Sequence, residues 1–125
     1  ILPGITDTAE CLYPLCREIA ARGMRRLALG VLFLRPAVLQ SLKRHLGGSH
    51  LLFSHFEQVI RLSIHAERSA VFALPSEKRR LIYERVREVA QQCGLDVAVC
   101  GCKNPDLRAG TCNIAGKWPK EESLF

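Results

Sequence analysis

Leu27-Ala28-Leu29-Gly30-Val31-Leu32-Phe33-Leu34 is an unbroken apolar run that ends abruptly at Arg35-Pro36. A run without polar alternation reads as a strand covered on both faces, and such strands belong to parallel sheets packed under helices. It is far too short to cross a bilayer, which takes about 20 residues. Pro36 has its φ preset for the first turn of a helix, and Val38, Leu39, Leu42 and Leu46 follow as an apolar stripe that Gly47-Gly48 stops. Strand, short turn and helix are the repeat unit of an α/β fold.

The neighbouring segments extend that pattern. Ile1-Leu2-Pro3-Gly4-Ile5-Thr6-Asp7 reads as a strand end entering a loop, and Asp7 with Glu10 resembles a capping box. Leu12, Leu15, Cys16, Ile19 and Ala20 then recur at helical spacing up to Gly23. Pro14 either kinks this helix or delays its regular part to about Tyr13. Ser49 is placed to cap a helix carrying Leu52, Phe56, Val59 and Ile60, and Ser63 to Leu74 reads as an irregular surface crossing. Pro75-Ser76 opens the clearest helix, with Ser76 as cap, Ile82, Val86, Val89 or Ala90, and Cys93 on its inner face, and Gly94 as its stop. Leu95 to Cys100 reads as a second β segment, and the tail from Gly110 as irregular.

A closed parallel barrel needs eight strands and about 250 residues, so a chain of 125 residues supplies a sector of one at most. The first residue is Ile1 and the single methionine is Met24, which adds to the expectation of a portion cut from a larger protein. The predicted fold class is α/β: a partial (β/α) barrel sector with parallel strands, several helices and a Cys-rich irregular C-terminal tail. Residues 1–99 form the sector and residues 100–125 the tail. Uncovered strand edges and apolar faces imply self-association.

Eighteen Lys plus Arg against twelve Asp plus Glu give a net charge of +6, which attracts nucleic acid without reading its sequence. Cys100-x-Cys102 and Cys112, with Cys93 seven residues before Cys100, are the strongest chemical constellation. Thiolates are soft donors that hold iron-sulfur clusters or zinc, and four make the usual set. Gly101, the Asn104-Pro105-Asp106 turn and Gly110 let the chain fold back on itself, while Lys103 and Arg108 offset thiolate charge. The alternative is a buried Cys93 and three free or paired thiols. Clustered cysteines in a chain rich in aliphatic residues point to a reducing, cytoplasmic setting; a secreted disulfide protein is the rival.

Cys11 and Cys16 lie off a single helical face and read as core or partly exposed residues. His45, His50, His55 and His65 do not stack on one face and read as surface or interface residues. Lys78-Arg79-Arg80 with Arg85 and Arg87 reads as a solvated helix face. Arg35 stands where α/β folds place ligands, at the carboxyl end of a strand, and Asp7 occupies a comparable loop or simply caps its helix. The motifs of mononucleotide and dinucleotide binding, serine hydrolysis and zinc proteolysis are missing.

The segment from Ile1 to Asp7, the strand entering Leu32-Phe33-Leu34-Arg35-Pro36, and Cys100-Gly101-Cys102-Lys103-Asn104-Pro105-Asp106-Leu107 resemble the C-terminal part of radical S-adenosylmethionine proteins. The nearest group is that of spore photoproduct lyase, the DNA repair photolyase-like proteins. The resemblance implies that Pro3, Gly4, Asp7, Leu34 and Arg35 lie near where the family holds S-adenosylmethionine and substrate. It makes Cys100, Cys102 and Cys112 an auxiliary iron-sulfur or zinc site, with Cys93 a further candidate ligand. The family's C-x3-C-x2-C triplet is missing from this chain, so the chain alone is expected to lack the cluster that cleaves S-adenosylmethionine. The rest of the barrel and nucleic acid are the partners expected; a membrane is not. A basic nucleic-acid-binding module with structural zinc is the alternative.

Overall fold

The structure, a computed structural model, describes residues 1–63, 70–101 and 103–107. Helix α1 (Ala9–Ala21) continues through Pro14 and buries Leu12 and Cys16. Its N-cap is Thr8, with no side-chain capping bond, so the capping box expected from Asp7 and Glu10 does not form. Asp7 instead accepts the Gly4 N–H at 2.6 Å.

Strand β1 is Arg26–Leu29, shorter than the apolar run it opens. Helices α2 (Pro36–Leu46) and α3 (Leu51–Ser54) follow, then strands β2 (Ile60–Ser63) and β3 (Ala70–Ala73), helix α4 (Ser76–Gln92) and strand β4 (Asp96–Val99). β1 and β4 pair in parallel, Arg26 opposite Asp96 through Leu29 opposite Val99. β2 and β3 pair antiparallel. The architecture is mixed α/β: four helices, a small parallel sheet and an antiparallel pair among the described residues, with no closed barrel.

β4 is four residues long, so the apolar run must change partners after Leu29. The Leu32 N–H bonds the Ile1 carbonyl at 3.0 Å, and Leu34 exchanges two backbone bonds with Phe72, at 2.8 and 2.7 Å. The run is therefore extended, but it spans three environments. Residues 60–63 and 70–73 form a hairpin ladder where a helix end and an irregular crossing were expected. Their burial alternates along each strand, and four residues are too few for that period to stand out in the sequence.

α4 ends in a Schellman motif. The Gly94 N–H bonds the Gln91 carbonyl and the Leu95 N–H bonds the Ala90 carbonyl, with Gly94 at φ +71 and Leu95 buried. The inner face of α4, with Ile82, Val86, Val89 and Ala90, packs on Leu12 and Cys16 of α1. Each fully buried aliphatic side chain there contributes about 1.5–3 kcal/mol. The stripe read on α2 is only half used: Leu39 and Leu42 are partly covered, Val38 and Leu46 are exposed, and the helix buries no residue fully. Among the described residues, no helix is long and apolar enough to cross a membrane.

Candidate functional site

The carboxyl ends of β1 and β4 open into a cleft of about 350 Å³, lined by Leu2, Val31, Phe33, Arg35, Val71 and Lys103 among others. Ligands in open α/β sheets bind outside the carboxyl ends of the strands, because there the loops diverge and leave space. The walls are apolar. The charged residues on the lining are both cations, Arg35 and Lys103, and both are exposed. Such a lining suits an anionic group carried on an apolar or flat body.

Alternation along the Leu34–Phe72 bridge decides what faces this cleft. Successive side chains on extended backbone point to opposite sides. Phe33, Arg35 and Val71 line the cleft, while Leu34 and Phe72 project to the other side. Leu34, with no exposed surface, therefore cannot share a ligand surface with Arg35.

Lys103 is held by a buried polar clasp. Arg79 on α4 has no exposed surface. Its Nε donates to the Leu74 carbonyl at 2.9 Å, its Nη1 to Asn104 Oδ1 at 2.6 Å, and its Nη2 to Asp106. Its guanidinium also lies 5.8 Å from the centroid of the Phe33 ring. Tyr83 Oη donates to Asn104 Oδ1 at 3.1 Å and accepts the Val31 N–H at 3.3 Å. Asn104 Nδ2 in turn donates to the Cys100 carbonyl at 2.9 Å. The 100–107 turn, α4 and residue 31 are thus tied at one point. Burial pushes the Tyr83 hydroxyl's pKa up, against the lowering effects of the Val31 and Asn104 bonds, so it remains a neutral donor near neutral pH.

Arg79 was expected on a solvated face with Lys78 and Arg80, and the structure corrects this. Positions 79, 83, 86 and 90 share one helical face, the one that packs inward. That spacing was a usable signal, obscured by the charge run in which Arg79 sits. Lys78 and Arg80 are exposed as expected. Arg85 is half-exposed and pairs with the Asp7 carboxylate at 3.2 Å.

Pro3, Gly4 and Asp7 do not line the cleft. Pro3 and Asp7 are buried, and the Asp7 carboxylate is engaged by the Gly4 N–H and by Arg85. Gly4, at φ +71, lies under the imidazole of His55, so the three residues make a sealed turn beside α1. Of the five positions that the resemblance places near cofactor and substrate, Arg35 is the one on the cleft lining.

Cys100 follows β4 directly and is buried. Cys93 caps α4 before β4 begins, and packs against the main core. β4 lies between them, and at about 3.3 Å per residue its four residues hold the two thiols roughly 10 Å or more apart. The structure therefore does not bring Cys93 to Cys100. Cys102 and Cys112 lie outside the described residues. Among the described residues no group of three or more His, Cys, Asp or Glu side chains could hold a metal ion, and Cys100 is the one candidate thiol beside the cleft-forming turn. One thiolate is not a cluster site, so the fit rests on the spacing of Cys100, Cys102 and Cys112 in the sequence. Burial, with a smaller effect from nearby Cys93, pushes the Cys16 thiol's pKa up, which leaves it unreactive.

The remaining histidines have local roles. His45 is exposed, with Nδ1 2.7 Å from the Ser41 carbonyl, and His50 Nδ1 accepts the Leu52 N–H at 3.2 Å to cap α3. His65 lies outside the described residues. Comparison with protein-family models, with curated proteins and with solved structures gives no match.

Proposed function

We propose that this chain is the C-terminal, substrate-side sector of a cytoplasmic radical S-adenosylmethionine enzyme of the spore photoproduct lyase type, inactive alone. The observation that carries the reading is the cleft at the carboxyl ends of a parallel pair, with Arg35 and Lys103 on its lining. That pair is a two-stranded sheet, and the apolar stripe of α2 is only half covered, among the described residues. Both are what a barrel sector leaves when its other strands belong to the rest of the protein. Arg35 and Lys103 would bind and orient an anionic part of the substrate, with nucleic acid the class that the net positive charge favours. Cys100, Cys102 and Cys112 would hold an auxiliary iron-sulfur cluster or zinc, which supplies electron transfer or local rigidity when bound; Cys93, held away by β4, is left out of this set.

Anaerobic reconstitution with iron and sulfide should give a coloured protein whose charge-transfer absorption is lost in Cys102→Ser. A colourless, metal-free product would overturn the cluster assignment. Sedimentation at several concentrations should show a mass that rises with concentration, because the uncovered edges pair with one another. A concentration-independent monomer counts against an incomplete barrel.

A free-standing nucleic-acid-binding module with structural zinc is the second reading, favoured by the exposed Lys78 and Arg80 on one end of α4. Binding to single or double strands should then weaken steeply with salt, with the slope reduced by about 0.9 in Arg80→Ala on duplex DNA if that residue meets a phosphate. An unchanged slope removes α4 from the contact surface. Arg79 is unsuitable for this test, because its loss would disturb the clasp and not a surface charge.

A further inference from the structure

The other face of the Leu34–Phe72 bridge forms a second cavity, of about 380 Å³, between α2, α3 and the hairpin. Leu34, Phe53 and Phe56, all buried, and the half-buried Phe72 make its floor. It persists because α2 does not lie flush on the core: that helix buries no residue fully, and Leu39 contributes only a partly covered wall. The volume is at the lower end of what small-molecule sites occupy, roughly 300–1,000 Å³.

Polar groups gather around one ring of that floor. Lys43 Nζ lies 6.0 Å from the centroid of Phe53, and the His50 imidazole lies 6.3 Å from it, edge-on. Among the described residues Lys43 has no acidic partner. Because His50 Nδ1 accepts the Leu52 N–H, the neutral ring carries its hydrogen on Nε2, which leaves that nitrogen as a donor. An ammonium and an N–H donor therefore flank one aromatic ring at the edge of an apolar cavity. Ser54 Oγ is occupied by the Leu51 carbonyl, and exposed Glu57 adds an acceptor suited to a donor substituent.

We propose that this cavity binds a small aromatic carboxylate, with its ring on the phenylalanine floor and its carboxylate held by Lys43 and His50. The chemistry excludes the obvious competitors. A bare phosphate has no apolar part to place on the floor, and a cation drawn by Glu57 would still face Lys43 beside the Phe53 ring. A carboxylate at the rim keeps part of its hydration and gains charge-assisted bonds, while the ring contributes aromatic contact. This goes beyond the proposed enzyme fragment and does not depend on it, since the cavity and the Arg35 cleft lie on opposite sides of the bridge.

Isothermal titration with phenylacetate, phenylacetamide and phenethylamine on the full chain tests it. Phenylacetate should bind, and the neutral amide and the amine should bind at least about tenfold more weakly. Lys43→Gln, at an exposed position that leaves packing intact, should weaken phenylacetate by about tenfold or more, and Lys43→Arg should retain most of the affinity. Equal binding of all three compounds, no phenylacetate heat at millimolar concentration, or an unaltered affinity in Lys43→Gln would each overturn the proposal.

Discussion

Arg79→Met is expected to lower the unfolding free energy by about 3–5 kcal/mol, in the range seen when one member of a buried charge network is removed. The substitution keeps much of the side chain's length and apolar stem, so cavity formation is a minor part of the effect. The larger part is what remains behind: the Leu74 carbonyl loses its guanidinium donor in a place where water does not reach, and Asn104 Oδ1 is left with the Tyr83 hydroxyl alone. Each buried group left unsatisfied costs about 1–3 kcal/mol. Asp106 loses less, because its side chain is 28% exposed and can rehydrate. Asp106→Asn is accordingly expected to cost about 1 kcal/mol, and Arg79→Lys to approach the methionine variant, because an ammonium cannot span three acceptors as a planar fork does. Urea unfolding with an unchanged slope would measure these differences. Removing Arg79 also loosens Asn104, which holds the Cys100 carbonyl, so Cys100 should be labelled faster by a thiol reagent in Arg79→Met below the unfolding transition. A loss smaller than about 0.5 kcal/mol, the scale of ordinary surface changes, would show that the network does not hold the turn.

The same arginine shows what was legible in the sequence and what was not. Helices α1 and α4 could be read because Leu12 and Cys16, and Ile82, Val86 and Ala90, repeat at the helical period over many turns and end at Gly23 and Gly94. Strand β4 could be read because Asp96 to Val99 sits between that stop and a turn. Arg79 lies on the same inward period with Tyr83 and Val86, but its neighbours in sequence are charged, and run composition outweighed phase. The failures share a cause: each depends on a partner far along the chain. The run Leu27 to Leu34 carries no sign that its pairing passes from β4 to Phe72, because its register is set by the length of the other strand. The hairpin of β2 and β3 is likewise a property of two short segments meeting. Of the site, Arg35 stood out at the end of the apolar run, although β1 itself stops at Leu29 and the cleft position of Arg35 follows from the Leu34–Phe72 bridge. Lys103 was noted only as a charge to balance thiolates; its position on the cleft depends on Asn104 and Asp106 meeting Arg79.

Gly4→Ala should destabilise the chain by about 2–4 kcal/mol, through two separable causes. Gly4 sits at φ +71, where an L side chain crowds its own backbone, at a cost of about 1–2 kcal/mol. A Cβ at that position would also stand 1.9 Å from His55 Nε2, inside the imidazole itself, so the ring must be displaced. The displacement matters beyond the local clash. Gly4 donates its N–H to Asp7, and Asp7 in turn holds Arg85 on α4, so a shift of this turn weakens the tie between the first loop and the central helix. The two causes can be told apart by removing the ring. In a double-mutant cycle with His55→Ala, the steric part should vanish and the backbone part, about 1–2 kcal/mol, should remain. Thermal or urea unfolding of the four proteins measures the coupling. If Gly4→Ala costs the same with and without the His55 ring, the imidazole does not seal the turn, and Pro3, Gly4 and Asp7 would again be available to a ligand.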